Sequence, residues 1–380
     1  MARFTSMFII MLVLCSIIGP SASAETDTQS DTVRGQVVEM MEDSAGLQQM
    51  EIKIEQGEFR GETVEVEHRL SGNPAQDFYF NTGDRVLVYI ESENGTITRS
   101  LVRELARDHY LTYLGIFFAL SLILIGGVKG IKTVISLGIT IFIILQVLVP
   151  LILGGLPPVF VTIVAASIIT VVSVLLISGV NRKSAAAILG TIGGVVLAGI
   201  LAAVMTRLAR LTGFTGEEAQ MLMYVPEAQF DFQGLLLAGM IIGAVGAVLD
   251  VGVSIASAVD EVKRNNPAAK TRELIKSGMN LGRDIMGTMA NTLILAYTGA
   301  SMSLLLVLNA HNVSFTRVIN MEAMSTEIIR ILAGSIGLIY AIPLTAVIAG
   351  ILYKNADVDK LQKEADKLPL WKRLFKRVDK

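Results

Sequence analysis

Seven apolar stretches occupy the chain between residues 110 and 353. Each runs for about 19–26 residues, enough to cross a hydrocarbon core of roughly 30 Å as a helix. A chain built this way has lipid as its solvent over most of its length. Its backbone polar groups must then be satisfied internally, and long unalternating stretches do this as helices. The expected helices fall at 110–128, 133–153, 158–180, 184–205, 234–258, 285–308 and 329–353. Composition agrees: 17% of the residues are charged, against about 25% in a soluble domain.

Residues 1–24 read as a secretory signal. Arg3 precedes an apolar run from Met7 to Ile18, and Ala22-Ser23-Ala24 forms a small-residue cleavage site before Glu25. A retained signal anchor is the alternative. Cys15, the single cysteine, lies inside this segment. Cleavage would leave no thiol, which excludes disulfides, zinc–cysteine sites and thiol catalysis.

Residues 25–108 are polar and alternate with period two, as in Met50-Glu51-Ile52-Lys53-Ile54 and Glu62-Thr63-Val64-Glu65-Val66-Glu67. Turn signals at Thr82-Gly83-Asp84 and Glu93-Asn94-Gly95 flank a further strand. About five short strands predict a small extracytoplasmic β-barrel, similar in shape to an oligonucleotide-binding fold. No aromatic stacking platform and no basic run interleaved with aromatics is present, so nucleic acid is not an expected partner. The domain carries about ten more acidic than basic side chains. That reads either as ordinary solubility or as a surface for a cation or an extracytoplasmic protein.

Basic residues set the expected orientation. Lys129 and Lys132, Arg182 and Lys183, and a long loop with Lys263, Arg264, Lys270, Arg272 and Lys276 alternate with connections poorer in cations, including an acidic one around Glu217, Glu218, Glu227 and Asp231. Arg207 and Arg210 are a minor exception. With the signal, this places the N-terminus outside, the C-terminus inside, and seven helices over 109–353. Residues 354–380 form a basic tail, in which Leu370, Trp371, Leu374, Phe375 and Val378 share one helical face. Its expected partner is anionic lipid, with a cytosolic protein helix as the alternative.

Polar groups inside the stretches are few. Asp250 lies deep in the fifth, with Ser254 and Ser257 at i+4 and i+7. Asp284, Thr288 and Asn291 repeat that spacing in the sixth, beside Arg283. If the two stripes face each other they form one polar patch. It reads as a structural ion-pair network, or as a cation or proton site with carboxylate, hydroxyl and amide ligands. An intramembrane aspartyl enzyme is a third reading. It lacks a G-x-G-D pattern, and Arg283 would keep Asp284 ionised where a catalytic dyad must share a proton. No metal is assigned and no cofactor is expected. Gly190 and Gly194 in the fourth stretch, and Gly239, Gly243 and Gly246 in the fifth, read as close-packing positions or as a sliding surface. Pro343 is expected to break the seventh helix, either as a harmless kink or beside a transport site.

Three segments resemble the YibE/F family of bacterial multi-pass membrane proteins. They are Gly239–Asp250 running on into Val251-Gly252-Val253-Ser254-Ile255-Ala256-Ser257-Ala258, the run from Ser277 through Gly282-Arg283-Asp284-Ile285-Met286-Gly287-Thr288-Met289-Ala290-Asn291-Thr292 to Tyr297, and Ala187-Ile188-Leu189-Gly190-Thr191. The resemblance extends over nearly the whole mature chain. It implies a bacterial cytoplasmic-membrane protein and carries no biochemical activity with it. Two functions follow as expectations: a permease for an ion or small solute, or a scaffold or sensor whose outer domain binds a partner. No nucleotide-binding G-x-x-x-x-G-K-[ST] appears, so transport would be passive, ion-coupled or driven by another protein.

Overall fold

The structure is a computed structural model and describes residues 28–44, 46–73, 77–93, 95–225 and 230–354. The expected signal, Asn94 of the expected turn, Glu227 and the tail from 355 onward lie outside the described residues. The chain forms two compact units, Met1–Phe118 and Ala119–Lys380.

The first unit carries five antiparallel strands: β1 (Thr28–Ser44), β2 (Leu47–Ile54), β3 (Thr63–Arg69), β4 (Arg85–Glu93) and β5 (Thr96–Leu105). Their order is β3-β2-β1-β4-β5. β5 returns beside β3, where Ser100 Oγ donates to Glu65 O at 3.1 Å, so the sheet is nearly closed. This is the partly open five-stranded barrel expected from the alternation. One half of β1 pairs with β4 and the other with β2, and the two halves overlap at Gly35, opposite both Ile54 and Val86, and at Gln36, opposite both Lys53 and Arg85. A Cβ at Gly35 would sit 2.5 Å from Ile52 Cγ2, so the sharp curl there needs glycine. The alternate residues Val37, Met50, Ile52, Ile54, Val66, Phe80, Val86, Val88 and Ile90 fill the interior. Buried Gln48 holds the preceding loop by exchanging two hydrogen bonds with the Phe80 backbone, at 3.0 and 3.3 Å.

The helices are α1 (Asp108–Gly126), α2 (Val128–Leu153), α3 (Pro158–Ser178), α4 (Arg182–Leu208), the short α5 (Glu217–Leu222), α6 (Phe232–Asn265), α7 (Thr271–Ala300), α8 (Met302–Ala310), the short α9 (Phe315–Asn320) and α10 (Glu322–Leu352). Among the described residues, six are long and apolar enough to cross a membrane; α7 and α8, bent by 62° at their junction, are together either a broken seventh span or a re-entrant loop. A π-helical turn at Ile144–Leu148 in α2 accommodates Pro150, whose ring would strike a straight helix. α4, α6 and α10 pack around Val248, Val251, Ile255, Leu338, Ala341 and Ala346.

Two boundaries and one expected break differ from the sequence expectation. The long basic loop is only 266–270, because α6 runs on to Asn265 and α7 begins at Thr271, where Glu273 accepts from Lys270 N at 3.0 Å. Lys263, Arg264, Arg272 and Lys276 therefore stand on helix ends. The last span begins at Glu322, so Glu327 and Arg330 lie within it. Finally, α10 passes through Pro343 unbroken. Proline removes one backbone hydrogen bond, a loss that a spanning helix packed on its neighbours tolerates.

Candidate functional site

Helix α6 buries one side almost completely. Ile241, Ala244, Val245, Val248, Val251 and Ile255 recur at helical spacing against α4 and α10. Asp250 falls on the other side of the helix and is exposed in this single chain. It opens onto a cleft of about 360 Å³ lined by Ser173, Val174, Ile177 and Ser178 of α3, by Leu249, Asp250, Val253 and Ser254 of α6, and by Met289 of α7. One carboxylate thus meets three serines within an otherwise apolar wall. Ser173 is buried, and its Oγ accepts from Ser136 Oγ of α2 at 2.9 Å, so a second helix supports the hydroxyl that lines the cleft. Asp250 makes no ion pair among the described residues.

The structure separates the two stripes, which would form one polar patch only if they faced each other. Ser254 joins Asp250 in the cleft. Ser257 lies one turn further, half-buried, with its Oγ donating to Val253 O at 2.6 Å. Asp284, Thr288 and Asn291 do not line the cleft. They lie on the exposed side of α7, as does Arg283, because the helix buries Leu274, Gly278, Gly282 and Leu293 instead. Thr288 Oγ1 donates to Ile285 O at 2.8 Å, within its own helix. Among the described residues, no three His, Cys, Asp or Glu side chains converge as a metal cluster.

The glycines divide in the same way. Gly190 and Gly194 of α4 press against α10, where added side chains would strike Thr345, Ala341 and the Gly337 carbonyl. Gly243 leaves the room taken by the Tyr297 hydroxyl of α7. Gly239 and Gly246 have nothing within 4 Å of an added Cβ.

Two charged networks escaped the sequence reading. At one end of the bundle, buried Asp260 accepts from Tyr353 Oη at 2.5 Å and from Arg264 Nε at 2.9 Å. Lys263 caps the same corner, with Nζ donating to Pro267 O at 2.7 Å and Ala269 O at 3.1 Å. The i, i+4 spacing of Asp260 and Arg264 was the available signal; the partner 93 positions away was not. Towards the other end, Arg330 pairs with Glu327 at 3.5 Å and lies 5.7 Å from the Tyr297 ring centre. Both networks read as fastenings, although Arg330 Nε is buried without a hydrogen-bond partner among the described residues. The first unit has its own open cleft, of about 880 Å³. It includes Arg34, Lys53, Arg60 and Arg85, of which Arg34 pairs with Asp108 at 2.5 Å and Arg85 with Glu55 at 3.8 Å.

A family model described as YibE/F-like protein matches residues 114–355. A second, described as YibE/F family N-terminal domain, matches residues 23–103. No curated protein and no solved structure matches the chain.

Proposed function

This chain belongs to the YibE/F-like family, and from that premise we propose that it is a permease for a proton or monovalent cation, with Asp250 as its ion-binding group. The observation that carries this reading is the cleft: an unpaired carboxylate among Ser173, Ser178 and Ser254, at the depth of spanning helices. Ionisable groups at such depth are expensive and mark ion pathways more often than packing. A single carboxylate with neutral hydroxyl oxygens suits a small monovalent charge. Calcium, by contrast, takes six to eight oxygens, more than one carboxylate and three hydroxyls supply. The proposed setting is a bacterial cytoplasmic membrane, with the N-terminal domain outside and the basic tail inside.

The test is cation flux into proteoliposomes across a panel of monovalent ions and a pH gradient. Flux should appear for at least one ion and fall at least about tenfold in Asp250→Asn, while membrane insertion is unchanged. Equal flux in the two proteins, at equal reconstitution, refutes the assignment of Asp250. The alternative is a sensor or scaffold that binds a ligand through its outer domain. It draws on the 880 Å³ cleft of the first unit, and it is favoured if no ion moves at all.

A further inference from the structure

Among the described residues, nothing covers the most polar side of helix α7. Asn280, Arg283, Asp284, Thr288 and Asn291 are all exposed on it. Neither Arg283 nor Asp284 has an ion-pair partner among the described residues. This side lies at membrane depth. Gly278, Gly282 and Leu293 stack against Ala346, Ile342 and Gly334 of α10. Ile342 stands about ten residues, or roughly 15 Å, inside the Leu352 end of that span. Asp284 and Asn291 are therefore level with the middle of the bundle, where lipid would meet a carboxylate, a guanidinium and an amide. Such groups face a protein interior or water, not acyl chains.

We propose that this face of α7 is the interface between two copies of the chain. Copies of a membrane protein insert in one orientation, so a two-fold axis along the membrane normal sets α7 beside α7 of the second copy. An isologous contact demands a self-complementary surface, and this one qualifies. Asp284 of one copy can meet Arg283 of the other, and the reverse pair forms by symmetry. Asn291 carries both donor and acceptor and can pair with itself across the axis, as a buried asparagine does in coiled coils. Gly287 lies between them with nothing within 4 Å of an added Cβ, which lets the two backbones approach. The order 284, 287, 291, 294, 298 also keeps the i, i+3, i+7 rhythm of a helix–helix seam. The dimer does not depend on the permease reading: a chain that pairs but moves no ion leaves it intact.

The experiment uses the full chain with Cys15, its single cysteine, replaced by serine. Single cysteines are placed at Asn291 on the proposed seam, and at Ile200 and Leu332 on exposed apolar faces of other helices. Oxidation in native membranes should trap Asn291→Cys as a covalent dimer, with at least about tenfold less for the two controls. In detergent, Asp284→Arg should halve the mass measured by light scattering, and the exchange Arg283→Asp with Asp284→Arg should restore it. Trapping at all three sites alike indicates random collision and overturns the proposal. So does an untrapped Asn291→Cys, whether it reacts with a water-soluble maleimide, as in a wet groove, or resists it, as when another protein covers the face. The cysteine trap decides the matter alone if the charge variants fail to insert.

Discussion

Replacing Gly194 by alanine offers the sharpest test of how α4 and α10 meet. A Cβ built at Gly194 lies 2.7 Å from Ala341 Cβ, 2.8 Å from Val248 Cγ1 and 2.9 Å from Gly337 O. Comfortable carbon contacts begin near 3.5 Å, so roughly 0.8 Å must be found against Ala341 Cβ. Val248 can turn its side chain. Ala341 Cβ and the Gly337 carbonyl are fixed to the α10 backbone, so the helices themselves must part. Overpacking of this kind costs about 1–3 kcal/mol, and fixed neighbours favour the upper part, about 2–3 kcal/mol. Alanine's better helix propensity offsets up to about 1 kcal/mol, which would blur the reading from one variant alone. Gly246→Ala removes the ambiguity, because nothing lies within 4 Å of its added Cβ and the propensity change is the same. The difference between the two variants isolates the steric contribution: about 2–3 kcal/mol, or roughly 30- to 150-fold in the unfolding constant. SDS-titrated unfolding in mixed micelles, followed by far-UV circular dichroism, measures it. If Gly194→Ala and Gly246→Ala agree within about 0.5 kcal/mol, the α4–α10 contact has slack and the close-packing account is wrong.

Tyr353→Phe should lower stability in the same assay by about 1–3 kcal/mol, since it takes the phenolic donor from a buried carboxylate and leaves it the Arg264 guanidinium; no change would mean that Asp260 finds water instead. Cysteine tags at Asn94 and Asn355 should be labelled from opposite sides of the membrane if α7 and α8 together make one crossing. Labelling from the same side would make that bent pair a re-entrant loop and leave six spans. A peptide of residues 367–380 should bind anionic vesicles and leave them at high salt, as each cation contributes about 1 kcal/mol near the surface; binding equally to neutral vesicles would point to apolar contact alone.

The spans were legible because a bilayer imposes length and composition on a segment whatever it packs against. The strands were legible because Met50-Glu51-Ile52-Lys53-Ile54 alternates across a surface with one wet side. Helix ends were less so: α6 and α7 continue as amphipathic helices past the apolar stretch, and hydropathy stops reporting where water begins. For the candidate site, the depth of Asp250 could be read from its neighbours. Ser173 and Ser178 could not, because they join it only through the rotation of α3 against α6. The i, i+4, i+7 stripe on α7 was visible, yet its direction is set by Gly278 and Gly282. Those glycines let Ile255 and Ile342 come close and so turn Asp284 away.

The pairing of α4 with α10 is the most extensive between any two of the described helices, and it has a consequence for biogenesis. α10 leaves the ribosome more than a hundred residues after α4. Until it inserts, the glycine-lined groove of α4 must wait in the lipid without its partner. Release of the nascent chain after residue 310 would leave that groove open for good. Such a fragment, although it holds the β-domain and most of the spans, should be a substrate for membrane quality-control proteolysis. The α4 groove is thus completed only by α10, and a truncation just before α10 should be as damaging as one just after α4.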